Sequence, residues 1–306
     1  MLRTRSRWPG LAVARRVPIG ALVKRASVAS MVLVLAAAAD SPNGDGRGGA
    51  SDRVALAEPT GPGGLNPDLA AKTALETPSA RAIRAVRECR ARFDAVDDYT
   101  CTFYKRERVD GRLTETNVMT MKVRNRPHSV YFHFHKPNKG REAIYVAGRN
   151  DGLILAHDVG ITKLLAGTMR LDPTGARAME GCRHPITSAG IDHLIDTVLE
   201  RWTAELKAGD TILAFNPRMR LGSRPCLLIE AVHPVKKPEY YTHKVRLFID
   251  AELGIPVRYE AYDWPAKPGA TAELIEEYVY DRVELNPGLT DADFDAANPL
   301  YAFGRF

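Results

Sequence analysis

The stretch 99–157 limits what this chain can fold into more than any other. It divides into alternating segments at 99–109, 112–123, 129–135, 141–147 and 153–157, each ended by a turn signal. Asp110-Gly111 joins the first two, and glycine accepts the positive φ that a tight hairpin demands. Arg126-Pro127, Lys136-Pro137-Asn138-Lys139-Gly140 and Gly148-Arg149-Asn150-Asp151-Gly152 separate the others. Such spacing predicts an antiparallel meander. Inside it the period is two: Tyr99, Cys101 and Phe103 share a face, as do Met119, Met121 and Val123, while Val130, Phe132 and Phe134 oppose Tyr131, His133 and His135. Several strands thus carry large side chains on both faces. A sheet of that kind must be covered on both sides or curl around a cavity.

The rest of the chain extends or covers this sheet. A helix is expected over 78–94, capped by Thr77, with Pro78 at the first position, where a missing N–H costs nothing. Ala82, Val86, Cys89 and Phe93 form its apolar stripe, and Arg81, Arg84, Arg87 and Arg90 read as a solvated face. Between 160 and 185 the pattern weakens, with Ile161, Leu164 and Leu165 suggesting a short helix or flap. A second amphipathic helix is expected over 188–207, closed by Gly209. Its stripe is Ile191, Leu194, Ile195, Val198, Leu199, Trp202 and Leu206, able to lie across a concave sheet as a lid or simply to pack as core. Strands follow at 211–215, 225–233, 240–250, 255–262 and 271–283, and the segment 288–295 reads as a capped turn that tucks Phe294 against the sheet.

Charge separates the N-terminus from the remainder. The formal net charge is +6 over 306 residues, yet Arg3, Arg5, Arg7, Arg15, Arg16, Lys24 and Arg25 precede the first acid, Asp40. Without them, 36 basic residues face 37 acidic ones. The basic excess therefore belongs to a leader and excludes a nucleic-acid reading, which needs a basic face on the folded domain. The apolar run 28–39 ends in small residues, the plan of a signal peptide, and is short of the roughly 20 residues that span a bilayer. An uncleaved signal anchor and a twin-arginine signal at Arg15-Arg16 are the alternatives. The expected organisation is a signal peptide over 1–39, a flexible Gly/Pro-rich linker over 40–77 and a single β-rich domain over 78–306, exported to the periplasm or cell envelope. The glycine run 44–49 follows no strand and opens no helix, so it supports no dinucleotide site.

Helix, meander, helical insert, second meander and terminal GLTDADFD…NP together resemble an uncharacterised family of exported bacterial proteins, a domain of unknown function. It is related in fold to the lipoprotein carrier LolA and the lipoprotein-stress sensor RseB. The residues that carry the resemblance are Tyr99-Thr100, Lys105-Arg106-Glu107, Gly140-Arg141-Glu142 with Ile144-Tyr145, 171–175, 256–265 and 288–295. The resemblance covers nearly all of 80–300. It implies an α+β, mostly β fold: a strongly curved, open antiparallel sheet, a half-barrel with two or three helices covering an apolar cavity. It brings no catalytic residues.

From alternation and helical stripe, the cavity wall is expected among Phe103, Met119, Met121, Phe132, Phe134, Ile144, Leu153, Leu194, Val198, Trp202, Leu247 and Tyr259. Arg141 is the candidate polar anchor for an anionic head group, or else a cross-strand partner of Glu107 or Glu142. The cysteines are Cys89, Cys101, Cys182 and Cys226; a Cys89–Cys101 disulfide is the most local pairing, and free buried thiols are the alternative. His133 and His135 share a face with metal-ligand spacing but no fixed third ligand among His128, His157 and Asp158. Cys182 and His184 invite a thiol nucleophile without a third member. Clustered acids such as Glu276-Glu277 read as solvated edges. No GxSxG, HExxH or P-loop occurs, and no cofactor is indicated. A non-enzymatic binding protein for a lipid, a lipoprotein acyl chain or another apolar ligand is the expectation, with peripheral membrane contact and an envelope protein partner both compatible. An envelope interaction module without a small ligand, or a His-dependent metal enzyme, is the alternative.

Overall fold

Helix α1 (Pro78–Phe93) begins where the Thr77 hydroxyl accepts a hydrogen bond from the Ala80 N–H at 3.1 Å. It is the first element of the computed structural model, which describes residues 76–159 and 167–303. The leader, the linker and the flap expected around Ile161–Leu165 lie outside the described residues, apart from Glu76 and Thr77. Ala82, Val86, Cys89 and Phe93 are the buried face of α1, at the spacing one side of a helix requires.

The chain then lays down β1 (Asp98–Val109), β2 (Arg112–Leu113), β3 (Asn117–Arg124), β4 (Ser129–Lys136), β5 (Glu142–Val146), β6 (Ile154–His157) and β7 (Thr168–Leu171). Helix α2 (Ile191–Glu205) follows, then β8 (Ile212–Leu221), β9 (Arg224–Val232), β10 (Lys244–Asp250), β11 (Pro256–Tyr262) and β12 (Leu274–Leu285). The strands belong to one open, antiparallel, 12-stranded sheet in the order β7-β6-β5-β4-β3-β1-β12-β11-β10-β9-β8, with β2 paired to β1 alone. The fold is α+β and mostly β. Strand β1 is its keystone, holding β3 on one side and closing the two meanders through β12 on the other.

Three elements depart from the sequence expectation. The segment expected at 112–123 divides into β2 and β3. Strand β7 forms where no alternation was visible. Strand β8 runs six residues past Phe215, through Pro217, because it is an edge strand: proline lacks the N–H that an inner strand must donate, and the register slips between Asn216 and Met219. Among the described residues no helix is long and apolar enough to cross a membrane.

Both faces of the sheet are covered. On one, α1 and α2 pack over Tyr99, Cys101, Met121, Val123, Ile229, Leu247 and Ala261 in the main core. On the other, the tail covers Tyr131, Ile144 and Val146 with Phe294 and Phe303. The tail is fixed by a capping box, Thr290 and Asp293 each bonding the other's backbone N–H. Cys89 and Cys101 both lie in the main core as free thiols, so the proposed disulfide is not formed. Each fills space as a small apolar side chain. Burial pushes the Cys89 thiol up to about 12 and raises that of Cys101 as well.

Candidate ligand cavity

A cavity of about 770 Å³ lies between the sheet and α2, within the size range of small-molecule sites. Strand pairing builds its floor. Phe103 faces Met119 on β3 and Tyr280 on β12, and Met119 in turn faces Phe134 on β4. Phe103 stacks on Phe132 and Tyr278 at centroid separations of 6.1 and 6.0 Å and tilts onto Tyr280 at 4.9 Å. Ala143, Ala156 and Met169 continue this apolar end across β5, β6 and β7. Small alanines beside large aromatics leave the space open.

The other end is charged, and the same strand supplies it. Along β1 the inward face reads Tyr99, Cys101, Phe103, then Lys105 and Glu107. Glu107 is 1% exposed. Its carboxylate accepts hydrogen bonds from the Lys105 ammonium at 2.9 Å, the Arg183 backbone N–H at 2.9 Å and the Tyr278 hydroxyl at 2.6 Å. Glu276 stands opposite Glu107 on β12 and is 2% exposed. It is bonded to His184 Nε2 at 2.8 Å, lies 3.4 Å from Arg183 Nε and 3.2 Å from the Tyr278 hydroxyl. Burial would raise the Glu276 carboxyl, but the His184 bond and the charges of Arg183 and Arg201 prevail and hold it below its ordinary value. Lys105 also donates to the Cys182 sulfur at 3.1 Å; Glu107 and Cys182 keep its ammonium raised against the cost of burial.

Arg201 projects from α2 into this end. Its guanidinium lies 3.6 Å from the centroid of the Tyr241 ring. Among the described residues it donates to no carboxylate. Lys105 and Arg183 are taken up by Glu107 and Glu276, and Glu115 and Glu180 also line this cavity, so at this end Arg201 is the cation that remains to meet an anionic group.

Of the residues expected in the wall, Phe103, Met119, Phe132, Phe134, Leu194, Tyr259 and Arg141 line this cavity. Met121, Val198, Trp202 and Leu247 do not. They are at most 3% exposed inside the main core, Met121 and Leu247 on the sheet and Val198 and Trp202 on α2. Ile144 belongs to the opposite face, under the tail, and Leu153 lies outside the lining. Helix α2 therefore has two working faces. Ile191, Ile195, Val198 and Trp202 anchor it in the core, while His193, Leu194, Thr197 and Arg201 form the cavity roof. It is a fixed wall more than a free lid. Arg141 pairs with Asp158 at 2.9 Å, not with Glu107 or Glu142.

The chemistry-bearing pairs also resolve differently. His184 bonds Glu276 while Cys182 takes Lys105, so no Cys182–His184 hydrogen bond is formed among the described residues. His133 lies 3.2 Å from Glu142 and His135 bonds the Thr120 hydroxyl at 2.8 Å, so each meets a different partner on the back of the sheet. The polar end was missed by sequence reasoning, although continuing the period-two count of β1 past Phe103 points Lys105 and Glu107 inward. Glu276, expected at a solvated edge, is buried by the same count from Tyr280 and Tyr278. Nothing in the sequence signals that the 182–184 loop reaches these strands.

The family described as Protein of unknown function (DUF1571) matches residues 96–303. The chain belongs to the DUF1571 family. Among the described residues, the matched span of the DUF1571 domain holds every strand and all the residues that line the cavity. No curated protein matches the chain. Among solved structures, a DUF1329 family protein from Desulfovibrio piger is 11% identical over 72% of this chain and 98% of its own, with a TM-score of 0.36. A LolA superfamily protein from Nitrosomonas europaea is 11% identical over 71% and 97%, at 0.29. The MucA/MucB complex of Pseudomonas aeruginosa matches at 13% identity over 71% of this chain and 61% of that one, at 0.39. These are likenesses at low scores.

Proposed function

We propose that this chain is an exported, non-enzymatic binding protein that encloses an amphiphile, a lipid or lipoprotein acyl chain carrying an anionic head. The observation that supports this is the division of one cavity into an aromatic end and a charged end. Burial of a chain against Phe103, Phe132 and Phe134 supplies about 25 cal/mol per Å². Arg201, the cation there without a carboxylate partner among the described residues, fixes the head and hence the orientation. Export rests on the composition of 1–39, with 40–77 as the spacer and the domain after it.

Native mass spectrometry of the full chain from an envelope fraction, with an organic extract run beside it, tests this directly. A stoichiometric acyl adduct is expected, lost in Ala156→Phe, which fills the apolar end. Phe132→Glu, which puts a carboxylate there, should lose it too, with circular dichroism confirming that both variants fold. A clean mass after incubation with total lipid extract would sink the proposal and leave an envelope interaction module ahead.

A further inference from the structure

We propose a second site, outside the charged end of the cavity, in which His128, Asp192 and His193 hold one divalent first-row transition-metal ion. His128 comes from the β3–β4 turn, and Asp192 and His193 open α2 behind Gly190. One ligand atom from each lies within 4.8 Å of the others. His193 Nδ1 is 3.1 Å from Asp192 Oδ2, His128 Nδ1 is 3.9 Å from it, and the two imidazole rings are 4.6 Å apart.

Hydrogen bonding here is unfinished in a way that suits a cation. Both ring nitrogens of His128, Asp192 Oδ1 and His193 Nδ1 are shut off from solvent without a well-formed hydrogen bond among the described residues, and His193 Nδ1 meets only the Asp192 carboxylate, as an ion pair. Buried polar atoms are rarely left so, and four together call for an occupant. Each neutral imidazole carries one lone pair beside its N–H, so His128 and His193 can each present one lone pair, with the Asp192 carboxylate, to a positive centre. The Asp192 carboxylate stands in the first turn of α2. Its charge also offsets the positive helix end that would otherwise repel a cation.

Two imidazoles and one carboxylate form a three-ligand set that leaves room for a fourth ligand, and that suits zinc and its first-row neighbours rather than magnesium or calcium. Bonds of about 2.0–2.2 Å require separations of roughly 3.3–3.5 Å between the three atoms, which fall between the 3.1 and 3.9 Å that His193 and His128 keep from Asp192 Oδ2. Gly190 permits the approach: a Cβ on it would stand 2.3 Å from Asp192 Oδ1. His193 also lines the cavity, so the metal would lie at its wall.

The site stands independently of the amphiphile proposal, and its test reads metal alone. Chelator-treated full chain is titrated with Zn²⁺ in competition with a chromogenic chelator, and with Co²⁺ followed by its visible absorption. One equivalent of Zn²⁺ should bind, with affinity falling at least tenfold in His128→Ala and in the isosteric Asp192→Asn. The paired variant His133→Ala/His135→Ala should match the wild type. Zn²⁺ should also raise the wild-type melting temperature and leave that of Asp192→Asn unmoved. Absence of wild-type binding, undiminished affinity in folded Asp192→Asn, or loss of binding on removing His133 and His135 would each overturn the proposal.

Discussion

Glu276 shows how much one buried carboxylate can decide. Its folded value lies below the ordinary 4.5, held there against burial by His184, Arg183 and Arg201. A carboxyl lowered on folding contributes stability that is present in full above 4.5 and lost as the pH falls through the folded value. Urea denaturation at pH 7 and at about pH 3 should therefore show a smaller acid loss in Glu276→Gln than in the wild type. Arg201→Gln addresses the other sign. Removing a charged hydrogen-bond donor worth about 1.5–3 kcal/mol should weaken binding of a fluorescent fatty acid tenfold or more, in a variant that circular dichroism shows to be folded. Gly190 has φ at +137°, and Asp192 Oδ1 occupies the place where a Cβ would stand. Gly190→Ala should cost about 1–3 kcal/mol in chemical denaturation, since only glycine adopts that region without strain. At this scale the sequence was half legible. Lys105 and Glu107 follow from counting by twos, whereas the meeting of His128 with Asp192 and His193 joins positions 64 apart that no local pattern relates.

The elements were easier to foresee because their causes are local. Thr77-Pro78 starts α1 as such a pair should, and Asp110-Gly111 turns β1 back with both residues at positive φ. The hairpins from β3 to β6 follow the alternation that named them. Failures came where tertiary pairing overrides the local pattern, as in β8 crossing Pro217 and β7 forming on four residues. The tail was also foreseen, and its attachment is testable. Phe294 is 3% exposed against Tyr131, Ile144 and Phe303, while Lys122 holds Asp293 at 2.7 Å. Phe294→Ala should destabilise the fold by about 3–5 kcal/mol, the usual cost of emptying a buried aromatic site. Limited proteolysis should then cut within 288–303 first.

For the folded unit as a whole, the consequence of the strand order is an uneven stability. Strand β1 is paired along both edges and joins the meanders, while β7 and β8 each have a single neighbour. Amide exchange should be slowest in β1, β3 and β12 and fastest at the outer edges of β7 and β8, where Ile212 is 60% exposed. Uniform protection across all strands would contradict this. That both faces of the sheet would be occupied was readable from its two-sided apolar strands. Which face would hold a cavity was not, because alternation sorts residues into two sets without saying which set meets open space.

Strand β4 belongs to both of those sets. Phe132 and Phe134 look into the cavity, while Tyr131 between them and Val130 stacks on Tyr301 of the tail at 4.2 Å. The wall between contents and cladding is one polypeptide thick. A shift of Phe132 has a single peptide bond to cross before it reaches the ring that seats the tail, so the interior and the outer skin of this protein cannot be rearranged separately.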